Sequence, residues 1–205
     1  MPDYHENLLP DCLYHIYSRA VGDEKLFLSD ENYHYFLSKF QQYISPIADV
    51  YTWCLLPNHF HFMIRIKSLE EINSYYLLKK KGELDFDKTG SFLMQCFSNF
   101  LNSYSKSFNK MYNRKGALFM DFMKRIKVNS DSQMGATAFY VHKNPVHHGY
   151  CKNMEDWRWS SYNSYLLKAP SQKASIELLE WFGGIEGFRK YHNQPIYLKN
   201  AVIVE

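Results

Sequence analysis

The chain has 205 residues, of which 46% are hydrophobic and 18% aromatic. This length suits one domain with appended elements, and the composition excludes a disordered chain. The net charge of +3 is too small to indicate a polyanion partner by itself. We find neither a leader-like N-terminus nor an apolar run of about 18 residues, which predicts a cytoplasmic protein without a membrane segment. The four cysteines form no C-x-x-C pair, so we expect reduced thiols.

The first third of the chain predicts three strands and one helix. Residues 12–19 alternate between apolar and polar side chains, as a strand does. An N-cap at Ser29 or the next residue then begins an amphipathic helix. Residues 49–56 form a second strand, and Pro57-Asn58 supplies a tight turn into a third strand, residues 59–66. The second and third strands are therefore predicted to form a hairpin.

The third strand, "HFHFMIRI", is the most informative segment for function. Its two-residue period puts His59, His61, Met63 and Arg65 on one face and the apolar row on the other. Two imidazoles on one face of a strand have Cα atoms ~7 Å apart. Neutral rings at that spacing can converge on one divalent cation, so the pattern indicates a candidate metal site.

The next hundred residues complete the pattern of a small α+β domain. Residues 69–78 predict a short helix, and the charged stretch 79–90 an exposed insertion. Apolar spacing predicts a long helix over about 91–112, and Gly116 opens a fourth strand over 117–128. The order strand, helix, strand, strand, helix, strand is the ferredoxin-like split βαβ plan with an antiparallel sheet. We expect helices on one face of this sheet and an open face on the other.

Positive charge is concentrated around the predicted fourth strand. Residues 103–128 contain seven Lys or Arg residues and one acidic residue, Asp121. Interleaved aromatic residues fit a groove that tracks a nucleic-acid backbone and stacks its bases, but a solvated face would have the same composition. The basic residues are Lys106, Lys110, Arg114, Lys115, Lys124, Arg125 and Lys127.

A helix over residues 131–144 follows the sheet, capped by Ser130 or Asp131 and closed by Pro145. At 100° per residue, one apolar stripe runs along it, and a separate polar stripe lies beside that one. The apolar stripe is Met134, Ala138 and Val141, and the polar stripe is Gln133, Thr137, Tyr140 and Asn144.

The chain divides at about residue 150 in this interpretation. Residues 1–150 form the main domain, and residues 151–205 form a helical C-terminal extension packed on it. His142, His147 and His148 lack the defined strand geometry of the histidine pair, so we interpret them as candidate phosphate or backbone contacts.

Two motifs, "LLPNHFHFMI" and "FYVHKNPVHHG", together resemble the single-tyrosine HUH transposases, closest to the REP-associated tyrosine transposases. Further agreement comes from Tyr14 to Arg19, from Lys124, from "DWRWSSYNSYL" and from the tail "LLEWFGGIEGFRKYH". The resemblance runs over roughly residues 10–192. One departure is Asp121-Phe122, which stands where the family commonly has Gly-Arg on the fourth strand.

The resemblance implies a chemistry and a partner. It assigns His59 and His61 as metal ligands for Mg²⁺ or Mn²⁺, Asn144 as a further ligand and Tyr140 as the nucleophile. Attack on a phosphodiester would give a 5′-phosphotyrosine link and a free 3′-hydroxyl, with no nucleotide cofactor. The implied partner is single-stranded or hairpin DNA, and the protein would be a monomer or a homodimer. Candidate nucleic-acid-binding residues are Arg19, Arg114, Lys115, Lys124, Arg125 and Lys127.

Two other functions remain open from the sequence. A non-catalytic or domesticated single-stranded nucleic-acid binding protein would use the sheet and its aromatic residues for base stacking. A metal-dependent hydrolase would activate water and use Tyr140 only to orient its substrate. A protein–DNA adduct distinguishes the transposase chemistry from both.

Overall fold

The computed structural model describes residues 5–79, 82, 84–167 and 172–194. The strands in chain order are β1 (Leu13–Arg19), β2 (Ala48–Leu56), β3 (His59–Ile66) and β4 (Lys124–Lys127). The helices are α1 (Asp30–Tyr43), α2 (Leu69–Lys79), α3 (Phe86–Met111), α4 (Asp131–His147), α5 (Tyr162–Leu167), α6 (Lys173–Trp181) and α7 (Gly184–His192), with a 3-10 turn at Met154–Asp156. Part of the predicted 79–90 insertion and of the tail lies outside the described residues.

The four strands form one antiparallel sheet in the order β2-β3-β1-β4. Strand β3 lies between β1 and β2, which is the split arrangement of the ferredoxin-like plan. The predicted hairpin is confirmed, because β2 and β3 pair directly across the turn at Pro57-Asn58. The α+β fold with a helical tail is therefore as the sequence predicts.

Helices α1 and α3 cover the first face of the sheet. The alternation of β3 turns Phe60 and Phe62 toward these helices, where they meet an aromatic core. Phe62 stacks on Phe40 with ring centroids 4.2 Å apart, and Phe36 contacts Phe60, which joins α1 to the centre of the sheet. This packing leaves the histidine row of β3 on the second face.

The second face is not open, contrary to our expectation. Helix α4 and the tail lie across it, and Leu13, Met63 and Val128 of the sheet share a core with Leu178 and Phe188 of the tail. The physical reason is that this face carries apolar residues between its polar ones. Leaving them in water would cost ~25 cal/mol for each Å² of apolar surface.

The tail is held to β2 by main-chain hydrogen bonds as well as by packing. The Leu55 amide donates to the Trp159 carbonyl at 2.8 Å, and the Ser161 amide donates to the Trp53 carbonyl at 2.9 Å. A further bond runs from the Trp157 indole to the Leu55 carbonyl at 3.0 Å. The tail thus extends the edge of the sheet.

Three predicted boundaries are wrong. Strand β4 has four residues, and the segment before it pairs with the end of β1 through an isolated bridge between Ala20 and Phe119. Helix α3 begins at Phe86, since Asp85 caps it through the Asp87 amide. Helix α4 continues through Pro145 to residue 147, and its next residue, His148, still bonds the Asn144 carbonyl at 2.9 Å. Pro145 cannot donate to the carbonyl one turn earlier, and it lies buried inside the continuing helix.

Candidate active site

A cavity of about 460 Å³ opens where the end of the β1–β3 pair meets the second half of α4. Residues of the loop before β4 close its far side. Its lining mixes aromatic, imidazole and charged groups, which is unlike the apolar packing on either side of the sheet. The lining residues are Tyr17, Ser18, Arg19, Asn58, His59, His61, Met120, Asp121, Phe122, Lys124, Tyr140, His147, His148 and Tyr150.

Strand pairing and helix docking bring the predicted site residues together. In the β1–β3 register, Tyr17 lies opposite His61 and Arg19 opposite His59. Helix α4 crosses this face, so that the Tyr140 ring centroid is 5.4 Å from that of His61, edge to face. Tyr140 is 3% exposed and lines the cavity. The strand and the helix therefore meet as the sequence predicts.

The hydrogen bonds around His59 leave one of its nitrogens as an acceptor. Its Nδ1 lies 2.7 Å from Oδ1 of Asn58, the turn residue just before it. A neutral ring must donate there, so Nε2 keeps its lone pair. Burial lowers the pKa of His59 to about 4, with the neighbouring His148 adding to the effect, which keeps the ring neutral at pH 7.

The free lone pair of His59 faces another acceptor. Asn144 donates its Nδ2 to the Tyr140 carbonyl at 3.1 Å, which turns Oδ1 toward the cavity. That Oδ1 lies 3.4 Å from Nε2 of His59. Two acceptor lone pairs this close repel unless a proton or a cation lies between them, and the low pKa of His59 disfavours the proton. The pair is therefore suited to hold a cation.

His61 lies deeper than His59 and is held by a third histidine. Its Nδ1 is 3.0 Å from Nε2 of His15 on β1, and both residues are buried. Burial lowers the pKa of His61 well below its ordinary range, and His15 and His59 reinforce that shift. The neutral imidazole that results is the form that ligates metals.

The donor set is small. Among the residues that the structure describes, no group of three or more His, Cys, Asp or Glu side chains is arranged to hold a metal ion. The set here is two imidazoles and one amide oxygen, from His59, His61 and Asn144. Such a set fits a cation that keeps open positions for water and substrate, as catalytic sites do.

Comparison with known proteins agrees with the sequence motifs. No protein-family model matches the chain. A curated Haemophilus influenzae protein named "Putative REP-associated tyrosine transposase" is 22% identical over 191 residues, covering 89% of this chain and 94% of that protein. A solved structure of a REP-associated tyrosine transposase bound to a REP hairpin superimposes with a TM-score of 0.56 at 16% identity, covering 83% of this chain and 89% of that one. This chain is similar to REP-associated tyrosine transposases. The predicted resemblance is confirmed.

Two of the predicted nucleic-acid-binding residues lie at the cavity of this transposase-like chain. Arg19 is exposed at the end of β1, and Lys124 begins β4 opposite Tyr17. Lys124 lies 3.8 Å from the Asp121 carboxylate. Both cationic groups stand on the same face as the histidine pair.

The other predicted basic residues lie elsewhere. Arg125 projects to the opposite face, where it donates to the carbonyls of His5 and Glu6 and is buried. Arg114 binds Glu24 at 3.1 Å and the Ala117 carbonyl at 2.8 Å, so it holds a loop together. Lys127 is two residues after Arg125 and therefore lies on the same face of β4. Lys115 is not among the residues that line the cavity. Alternation along β4 puts Lys124 on the cavity face and Arg125 and Lys127 on the other face.

The later histidines separate into two groups. His142 is fully buried, with its ring nitrogens 3.0 Å from His192 and 2.8 Å from Ser161, so it joins α4 to the tail. The interpretation of His142 as a phosphate contact is wrong. His147 and His148 line the cavity, and His148 contacts the His59 ring at 4.8 Å between centroids.

Sequence reasoning missed His15, Tyr17 and Asn58 as parts of the site. The alternation of β1 puts His15 and Tyr17 on one face, but which face of β3 they adjoin depends on the strand register. Asn58 reads as a turn residue, and its side-chain role appears only in the structure. The β1 pattern was the one available signal for the first two.

Proposed function

We propose that this protein is a transposase-like enzyme that cuts and rejoins single-stranded DNA through a covalent bond to Tyr140. One observation carries the proposal. Nε2 of His59 and Oδ1 of Asn144 are two acceptors 3.4 Å apart, and Tyr140 lies one helical turn before Asn144 on the wall of the same cavity. The similarity to REP-associated tyrosine transposases supports the same chemistry.

His59, His61 and Asn144 would hold Mg²⁺ or Mn²⁺, and neutral nitrogen with amide oxygen suits the latter ion slightly better. When bound, the ion polarises the scissile phosphate and stabilises charge on the leaving oxygen. The buried, neutral state of both imidazoles keeps their lone pairs available at pH 7. No proton has to leave either ring before it ligates.

The phenol of Tyr140 supplies the nucleophile. Its oxygen forms the new bond to phosphorus, and the bond from phosphorus to the 3′ oxygen breaks. The phenol loses its proton, and the departing oxygen gains one, so the products are a 5′-phosphotyrosine and a 3′-hydroxyl. One phosphoester replaces another, and a second 3′-hydroxyl can reverse the step without a nucleotide cofactor. Helix α4 fixes the ring edge-on against His61, which limits its approach to one direction.

Arg19 and Lys124 are the cationic groups that we assign to the DNA backbone at this cavity. The partner is single-stranded or hairpin DNA, and the hairpin bound to the structural relative supports the latter. A monomer or a homodimer, and a cytoplasmic location, stay predictions. In the described part of the chain, no helix has the length and apolarity needed to cross a bilayer.

The decisive experiment is detection of the covalent intermediate. Labelled single-stranded and hairpin oligonucleotides are incubated with the protein and Mn²⁺, and the products are separated on a denaturing gel. We expect a protein-linked band whose nucleotide-bearing peptide contains Tyr140 by mass spectrometry. Cleavage without any linked protein would support the hydrolase instead. Binding without cleavage would support the non-catalytic DNA-binding protein.

A further inference from the structure

His15, a buried histidine on β1, contacts both the candidate metal ligand and the candidate nucleophile. Its Nε2 lies 3.0 Å from Nδ1 of His61, and the two rings stack with centroids 5.2 Å apart. The Tyr140 ring stands edge-on to His15 at 5.7 Å. His15 is 0% exposed, so water does not compete for this contact. The triplet is fixed by the sheet on one side and by α4 on the other.

The contact between the two imidazoles has a direction. A hydrogen bond between neutral rings needs one N–H donor and one lone-pair acceptor. If Nε2 of His15 donates, His61 accepts at Nδ1 and carries its own proton on Nε2, which blocks a metal there. If His61 donates from Nδ1, its Nε2 is free to ligate. The second arrangement requires His15 to accept.

We propose that His15 is a positioning residue that holds His61 in the Nδ1–H form and thereby presents Nε2 of His61 to the cation. The inference rests on the proposed function. Asn58 does the same for His59, where Oδ1 accepts from Nδ1 at 2.7 Å. In this arrangement each candidate ligand has its own acceptor, one from the hairpin turn and one from the neighbouring strand.

The choice of acceptor has an electrostatic consequence. Ligating histidines often donate to a carboxylate, which raises the basicity of the ligand. The partners here are an imidazole and an amide, which carry no negative charge, so they would orient the rings without adding negative charge beside the cation. More of the cation's charge is then left to act on a phosphate.

The test measures Mn²⁺ binding, without DNA, on the full chain. His15→Leu removes the acceptor while keeping an apolar group of similar size, and we expect Mn²⁺ affinity by calorimetry to fall ~10–100-fold. His15→Gln keeps an acceptor oxygen in reach of His61, and we expect it to restore most of the affinity. In a His61→Ala background, His15→Leu should cause no further loss, because the ring it positions is gone.

Several outcomes overturn the inference. Equal Mn²⁺ affinity for His15→Leu and the wild type would do so, as would an equal loss in the Leu and Gln variants, which indicates a packing role. Nitrogen-15 NMR of the metal-free wild type can show which ring nitrogen of His61 carries the proton, and this measurement does not require any variant to fold. A proton on Nε2 of His61 would contradict the proposal. If the wild type binds no Mn²⁺, both the metal assignment of the proposed function and this inference are wrong. If the wild type binds Mn²⁺ and His15→Leu binds it equally well, only this inference is wrong.

Discussion

Asn144 donates its side-chain N–H to the main-chain carbonyl of Tyr140 at 3.1 Å, one turn earlier on α4. This bond sets the orientation of the amide and so directs Oδ1 to His59. The candidate nucleophile and the candidate metal ligand of this helix are therefore linked through one carbonyl group. A shift of this carbonyl would therefore reorient the Asn144 amide and move its Oδ1 relative to His59.

Replacing the candidate nucleophile separates chemistry from binding. Tyr140→Phe keeps the ring that packs against His61 and His15, so we expect the melting temperature and the affinity for single-stranded DNA to stay close to those of the wild type. The covalent adduct should disappear on a denaturing gel, because the attacking oxygen is gone. Tyr76→Phe on α2, which packs against Phe92 and lies outside the cavity lining, is the control and should still form the adduct. Adduct formation by Tyr140→Phe would disprove the assignment.

Removing the imidazole pair should abolish metal dependence. We expect His59→Ala with His61→Ala to lose Mn²⁺ binding and Mn²⁺-dependent cleavage, since two of the three proposed ligands are gone. Circular dichroism should show the wild-type helix content, because the sheet core lies on the other face. His34→Ala, on the exposed side of α1, serves as the control for loss of a histidine elsewhere. Undiminished cleavage by the double variant would exclude this metal site.

Glu177 of α6 joins the tail to the sheet and should contribute to stability. Its carboxylate accepts from Arg65 at 2.8 and 3.0 Å and from Tyr51 at 2.7 Å. Because these groups are partly exposed, we expect Glu177→Gln to lower the free energy of unfolding by about 1 kcal/mol at pH 7. Glu180→Gln on the same helix is the control and should have a smaller effect.

The same carboxylate gives a pH signature. Burial raises the pKa of Glu177, but hydrogen bonds from Arg65 and Tyr51 outweigh this and lower it below the ordinary 4.5. Its contribution is present above 4.5 and is lost as the pH falls through the lower folded value. Urea unfolding should therefore show the wild type and Glu177→Gln converging in acid. A gap that widens below pH 4.5 would contradict this sign.

The buried histidines predict a second pH dependence with another window. Burial lowers the pKa of His192 from 6.5 to about 4, so the unfolded chain binds its proton first. Stability is complete above 6.5 and is lost as the pH falls toward 4, by up to ~1.4 kcal/mol per pH unit for each proton. We expect His192→Gln to flatten this loss in urea unfolding between pH 7 and 5. Exposed His34→Gln is the control for loss of a histidine elsewhere, and an equal slope in the two variants would refute the prediction.

Substitutions at two glycines compare the effect of an added methyl group on stability in the tail and in the main domain. A Cβ at Gly187 would overlap the Phe182 carbonyl oxygen, so Gly187→Ala must move the turn between α6 and α7. We expect a loss of about 3 kcal/mol. Gly90→Ala in α3 would meet only the Leu8 carbonyl at 3.7 Å and should be neutral or stabilising by up to ~1 kcal/mol. Thermal melts of both variants check the contrast, which a stable Gly187→Ala would contradict.

The sequence predicts the helices and strands better than it predicts the contacts between them. The alternation of β3 identified the histidine face, and the spacing of Tyr140 and Asn144 gave their shared stripe on α4, because both patterns are local. It did not predict that α4 continues through Pro145, because a proline usually marks the end of a helix and the burial of this one is not visible in the local pattern. The role of His15 depends on the register between β1 and β3. The burial of Arg125 depends on which residues of the four-residue strand β4 face each side of the sheet. Non-local contacts decide these features.

Asn58 and His15, which orient the two histidines, both belong to the β-sheet and its turn. Tyr140 and Asn144 both arrive on a single helix. The candidate site is thus built from two elements, the β1–β3 pair with its turn and helix α4. The distance between the candidate nucleophile and the candidate cation site is therefore set at one interface, where α4 packs on the β1–β3 pair.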